Sequence, residues 1–113
     1  MTAKNILILA PPYAVEQAIR RLGSNLRTAR LRRNLTIEEV GEKIGTGPRA
    51  VSDAEKGKVS TGIAVYTALL WAYDLLSPMQ GLADPALDEE GMILSLSKER
   101  ARARVKEGLD NEF

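Results

Sequence analysis

Apolar residues recur at three- and four-residue steps along most of the chain, which is the spacing of helices that bury one face. The clearest example lies within Leu35–Gly57. Thr36 is suited to cap a helix, and Glu39 three residues later can bond back to the Thr36 amide. Gly45 is a typical helix stop, and Pro48 suits the first turn of a following helix. The pattern predicts two short helices joined by a tight turn.

Helices are also predicted on both sides of this unit. A long one begins at Tyr13, and Gly23 is expected to weaken or bend its middle. A mostly apolar helix covers Ile63–Leu76 and contains Trp71, interpreted as a core or dimer-contact residue. A short helix is predicted at Met79–Ala83. The apolar face of the long helix consists of Val15, Ile19, Leu22, Leu26 and Ala29.

The last part of the chain changes from apolar to charged. Leu87, Ile93 and Leu94 belong to an apolar stretch that predicts a helix, with a strand at Met92–Leu96 as the alternative. From Ser97 the charges alternate in sign. This segment is predicted to be mobile in isolation, or to become ordered against a partner.

The chain begins with a short apolar run at residues 4–10, KNILILA, which predicts a strand that Pro11 and Pro12 end. A single strand in a helical chain has no partner of its own. Two interpretations remain open: the strand pairs with its copy in a dimer, or the segment lies on the domain as a loose arm.

The net charge of +1 conceals an uneven distribution. Residues 1–33 contain seven basic residues against Glu16 alone, whereas residues 61–97 contain five acids and no basic residue. The long helix carries six of these basic residues as arginines, which repel one another when no acid lies nearby. Contact with phosphates is the favoured interpretation, and a solvated helix surface is the alternative.

Composition removes several classes of function. The sequence has no cysteine and no histidine, which excludes zinc fingers, thiol chemistry and histidine acid–base catalysis. No apolar run reaches the length of a membrane span, and the spacing in GEKIGTG differs from that of a phosphate-binding loop. We expect a protein that is not an enzyme, uses no cofactor or metal, and is cytoplasmic and nucleoid-associated.

The stretches LGSNLRTARLRRNLT, IEEVGEKIGTG and AVSDAEKGK between Leu22 and Leu75 resemble the Xre-type (lambda-repressor-like) helix-turn-helix family. The resemblance implies an all-α, five-helix DNA-binding domain over residues 13–83. An N-terminal arm or short dimerisation strand at 1–12 would precede it. A C-terminal extension with a mobile charged tail at 84–113 would follow.

The resemblance also implies roles for individual residues. Arg30 and Glu55 occupy the positions of a salt bridge that ties the first helix to the recognition helix. Arg49 would donate to guanine and Asp53 would accept from cytosine; pairing of Asp53 with Arg49 within the helix is the alternative. The base-reading positions are Pro48, Arg49, Ser52 and Asp53, and the phosphate-contacting positions are Thr46, Gly47, Lys56, Lys58, Arg32 and Arg33.

A narrower resemblance covers PPYAVEQAIRRLGSNLRTARLRR, ALLWAYDLL and LADPALDEEG, which are similar to HipB-like antitoxins. It implies a homodimer that binds an inverted repeat in the operator of its own operon and associates with a HipA-type serine/threonine kinase toxin. Two alternatives are a stand-alone Xre-type repressor and an interaction module that holds the kinase through Asp84–Glu90.

Overall fold

All regular structure in residues 5–111, the part of the chain that the computed structural model describes, is helical. The predicted all-α fold is therefore confirmed. The chain divides into two compact units, Met1–Ser77 and Pro78–Phe113. The elements are α1 (Ile6–Leu9), α2 (Tyr13–Arg32), α3 (Ile37–Ile44), α4 (Pro48–Glu55), α5 (Ile63–Ala72), two 3-10 helices (Ser77–Gly81 and Pro85–Leu87) and α6 (Glu89–Asn111).

The predicted N-terminal strand is wrong over its described residues, because Ile6–Leu9 form one helical turn, α1. The side chain of Asn5 caps this turn by accepting a hydrogen bond from the Ile8 amide at 3.4 Å. The Ala10 amide closes it by donating to the Ile6 carbonyl at 2.8 Å. Leucine is a strong helix former, so an apolar run that lacks a pairing strand takes the locally bonded conformation. The first residue of the predicted strand, Lys4, lies outside the described residues.

Four helices, α2 to α5, pack around one core in the first unit. Each helix contributes to it, and burial of each leucine or valine side chain stabilises the fold by about 1.5–3 kcal/mol. Trp71 is 58% exposed, so of its two interpretations the core residue is wrong and the dimer contact stays a prediction. The largest fully buried side chains are Tyr73, Leu26, Leu69, Val40 and Val51.

The predicted signals around the tight turn are present in the structure. The Thr36 hydroxyl accepts from the Glu39 amide at 3.1 Å, and the Glu39 carboxylate accepts from the Thr36 amide at 3.2 Å. Gly45 ends α3 in the left-handed conformation with φ of 83°, and Pro48 is the first residue of α4. Local sequence therefore determines where both short helices begin and where the first one ends.

Gly23 does not interrupt α2, which is continuous from Tyr13 to Arg32. The residue is buried where α2 meets the end of α4. A Cβ atom there would lie 2.7 Å from the Glu55 carbonyl oxygen and 2.8 Å from the Gly57 amide nitrogen. The glycine thus allows the two helices to approach backbone to backbone.

In the second unit the 3-10 turn Pro85–Leu87 packs against α6. Asp84 caps the turn by accepting from the Ala86 amide at 2.9 Å, and Asp88 caps α6 by accepting from the Gly91 amide at 2.9 Å. The alternative strand at residues 92–96 is wrong, because α6 covers them. The charged segment that was predicted to be mobile forms the second half of this helix. A 3-10 helix, Ser77–Gly81, lies close to where the short helix at 79–83 was predicted.

Candidate nucleic-acid interface

Helix α4, the second helix of the α3–α4 pair, has a buried apolar face and a polar outer face. Val51 and Ala54 on α4 are completely buried. Arg49 is therefore directed away from the core and is exposed, whereas Ser52 and Asp53 are half-buried. A short helix with a buried apolar face and a polar outer face is the type of element that enters the major groove of DNA. The positions assigned to base reading lie together on this helix.

Arg30 and Glu55 form a two-pronged ion pair between α2 and α4. Arg30 Nε donates to Glu55 Oε2 at 2.7 Å, and Nη2 donates to Oε1 at 3.0 Å. Nη1 of the same guanidinium donates to the Leu35 carbonyl at 2.9 Å. Both side chains are almost inaccessible, with 9% and 5% of their surfaces exposed. Hydrogen bonding to the Glu55 carboxylate raises the pKa of Arg30 above its usual range, so the arginine is cationic.

Arg33, predicted to contact phosphate, is engaged at the end of α5. Its Nη1 donates to the Ala29 carbonyl and its Nη2 donates to the Tyr73 carbonyl, both at 2.9 Å. Its guanidinium also lies 5.4 Å from the centre of the Tyr73 ring, within range of a cation–π contact. Arg33 thus links α2 to the end of α5, although the residue is exposed, as Arg32 is.

Tyr73 has a structural role that the sequence pattern did not reveal. It is buried, and burial raises the pKa of its phenol. Its carbonyl accepts a hydrogen bond from Arg33, and its ring lies against the Arg33 guanidinium. The only signal in the sequence was the apolar spacing along α5, because the partner lies 40 residues earlier in the chain.

The carboxylate of Asp53 pairs with Lys58 and not with Arg49: Asp53 Oδ2 lies 3.8 Å from Lys58 Nζ. The two side chains are partly exposed, at 26% and 53%, so the ion pair is weak. The Lys58 carbonyl accepts a hydrogen bond from the Tyr66 hydroxyl at 3.1 Å, which fixes the loop after α4 to α5. The structure thereby places Lys58, assigned to phosphate, next to Asp53, assigned to a base.

The remaining assigned residues lie at the two ends of α4. Thr46 donates its amide to the Gly41 carbonyl at 2.8 Å, and Gly47 is the N-cap of α4. Pro48 is exposed at the first position, where its missing amide leaves no donor unpaired. Lys56 is exposed at the C-cap. The backbone of Thr46 and Gly47 therefore lies before the base-reading positions, and the basic side chain of Lys56 lies after them.

Residues 21–79, slightly more than half of the chain, match the family model described as a helix-turn-helix domain. The chain belongs to the helix-turn-helix family. A comparison with curated proteins and one with solved structures found no similar protein. The matched range contains every residue assigned above to bases, phosphates or the scaffold pair. Membership of this family indicates sequence-specific DNA binding and transcription regulation.

None of the helices in residues 5–111 has the length and apolar composition needed to cross a bilayer.

Proposed function

We propose that this helix-turn-helix protein is a transcriptional autorepressor that binds an inverted-repeat operator as a homodimer. The main support for the proposal is the way in which α4 is held in the fold. Its inner face is buried, and its last residue, Glu55, is paired with Arg30. Its outer face contains Arg49 and Ser52. This arrangement suits binding, and we propose no catalytic step.

The charges near α4 support contact with phosphates. Lys56 and Arg32 are exposed, so each is accessible to a phosphate oxygen. Arg20 on α2 pairs with Glu16 at 2.8 Å, which relieves part of the repulsion along that helix. Phosphate contacts fix the position of a protein on DNA, and base contacts select the sequence.

Selection of binding sites from random duplexes tests this function. We expect enrichment of an inverted repeat whose half-sites are about 34 Å apart, one helical turn, because two symmetric recognition helices read successive major-groove faces. Arg49→Ala should relax the preference at one base pair per half-site, at a cost of roughly 1–3 kcal/mol.

Lys56→Ala is the matched control for the same selection. It removes a charge at the other end of α4, so it should weaken binding to all sequences alike and reduce the salt dependence by about one phosphate contact. The assignment of Arg49 fails if its variant selects the wild-type sequence unchanged. The proposed function fails if no sequence is enriched by the wild-type protein.

We further propose that the protein is the antitoxin-type component of a toxin–antitoxin operon and associates with a HipA-type kinase. The resemblance of several stretches to HipB-like antitoxins supports this. The exposure of Leu82 and Leu87 in the second unit, 71% and 77%, beside the acidic residues Asp84 and Asp88, also supports contact with a partner there. Exposed apolar residues with a charged rim are typical of protein interfaces.

Co-purification with a kinase encoded by the neighbouring gene tests this association. The double variant Leu82→Asp/Leu87→Asp should lose the kinase, whereas Ile63→Asp, at a residue 70% exposed in the first unit, should retain it. Retention by the double variant would count against this surface. A neighbouring gene that encodes no kinase would favour the stand-alone repressor instead. Loss of the kinase with intact operator selection would show that one chain performs both tasks.

A further inference from the structure

Helix α6 has an apolar stripe that nothing in the described part of its own unit covers. Leu94 and Val105 are 62% and 65% exposed, and Ala101 between them is also exposed. Steps of seven and four residues place these three side chains on one helical face. Ala101 and Val105 also line a shallow surface groove, together with Lys98, Arg102 and Lys106.

A helix of this kind depends on packing. In water most helical stability comes from the burial of an apolar face. Within its unit, over the described residues, the short turn Pro85–Leu87 is the element that packs closely against α6. The helix is 23 residues long and contains glycine at positions 91 and 108. A partner helix on the stripe would supply the missing burial.

The charges along α6 specify which partner fits. The first turn is acidic, with Glu89 and Glu90, and the second half carries most of the basic residues. Glu90 and Arg104 are two heptads apart, so they lie on the same flank of the stripe. In an antiparallel pair of identical helices the same flanks meet, and Glu90 of each copy then faces Arg104 of the other.

A parallel pair would be unfavourable for the same reason. It would align the basic halves of the two copies and would place Lys98 opposite its own copy in the stripe. Like charges that face each other destabilise helix pairs. The antiparallel arrangement instead brings Lys98 close to Leu94 of the other copy, where its carbon chain can pack while its ammonium group remains in water.

We infer that α6 is a self-association surface, on which a second copy of this chain binds antiparallel, with Leu94 beside Lys98 of the other copy and Ala101 beside Gly91 of the other copy. The inference rests on the proposed function in that it names the surface of the dimer. The dimer is measured without DNA, so it can fail while operator selection by α4 holds.

Charge reversal in the full-length chain tests the inference by sedimentation equilibrium. Glu90→Arg and Arg104→Glu should each weaken the dimer by about tenfold, because each converts two attractive contacts into repulsive ones. The double variant Glu90→Arg/Arg104→Glu should restore the dimer, because it exchanges the two charges. Glu99→Arg, on the side of α6 away from the stripe, is the control and should leave the dimer unchanged.

A second variant removes the apolar contact itself. Leu94→Asp/Ala101→Asp replaces two exposed residues, so we expect the first unit to keep its fold while the protein becomes monomeric. A dimer that survives this variant, or a charge exchange that fails to restore association, would overturn the inference. A wild-type chain that is monomeric at all concentrations would overturn it as well.

Discussion

Arg30→Ala should lower the free energy of unfolding by about 3–5 kcal/mol, because it leaves the Glu55 carboxylate buried without its two N–H donors. The Leu35 carbonyl loses a donor in the same step. The loss is large because water reaches only 5% of the Glu55 side chain and cannot replace the guanidinium. Denaturation in urea, followed by circular dichroism, measures the change.

Arg32→Ala is the matched control, since it removes an arginine two residues away that is exposed at the end of the same helix. Its effect should remain within about 0.5 kcal/mol. The double variant Arg30→Met/Glu55→Leu should regain much of the lost stability, because it removes both charges together. An Arg30→Ala protein as stable as Arg32→Ala would show that the pair contributes little.

The same variants separate a scaffold role from base reading. Arg30 is enclosed between α2 and α4, so its loss should reduce operator affinity only as far as it displaces α4. Arg49 is exposed, so its loss should change sequence preference while stability stays near that of the wild type. Stability and operator preference measured on both variants therefore assign the two arginines independently.

The helix-turn-helix unit was predictable because its signals are local. The capping box of Thr36 and Glu39, the stop at Gly45 and the proline at Pro48 each act within a few residues. Such interactions depend little on the rest of the fold, and all three are present in the structure. The periodicity of apolar residues likewise placed Val51 and Ala54 in the core.

The features that were missed depend on distant or competing interactions. Residues Ile6–Leu9 have a composition compatible with strand or helix, and the cap from Asn5 is a local signal for the helical turn that the apolar pattern does not contain. Arg33 is held by a carbonyl 40 residues away, and its sequence context resembles that of any basic surface residue. Trp71 lies on a helix that is apolar all round, so periodicity could not identify its exposed side.

Local sequence also gave the wrong expectation for Gly23. A glycine within a helix usually weakens it by about 1 kcal/mol relative to alanine, so helix propensity alone predicts a weak point in α2. In this fold its missing side chain is what allows α4 to pack against α2. The hypothetical Cβ would meet backbone atoms of Ala54, Glu55 and Gly57, none of which can rotate away as a side chain would. The contact between α2 and α4, and not helix propensity, therefore explains why glycine occupies this position.

Gly23→Ala should accordingly destabilise the protein by about 3 kcal/mol, the upper end of the range for overpacked cores. Ser24→Ala is the control, because it introduces the same residue at the next, exposed position of α2 and should be neutral or slightly stabilising. Urea denaturation of both variants measures the difference. If the Gly23→Ala chain folds by moving α4 outward, operator affinity should fall with stability, because Arg49 moves with that helix. Equal or greater stability than the wild type would show that the two helices do not need to approach this closely.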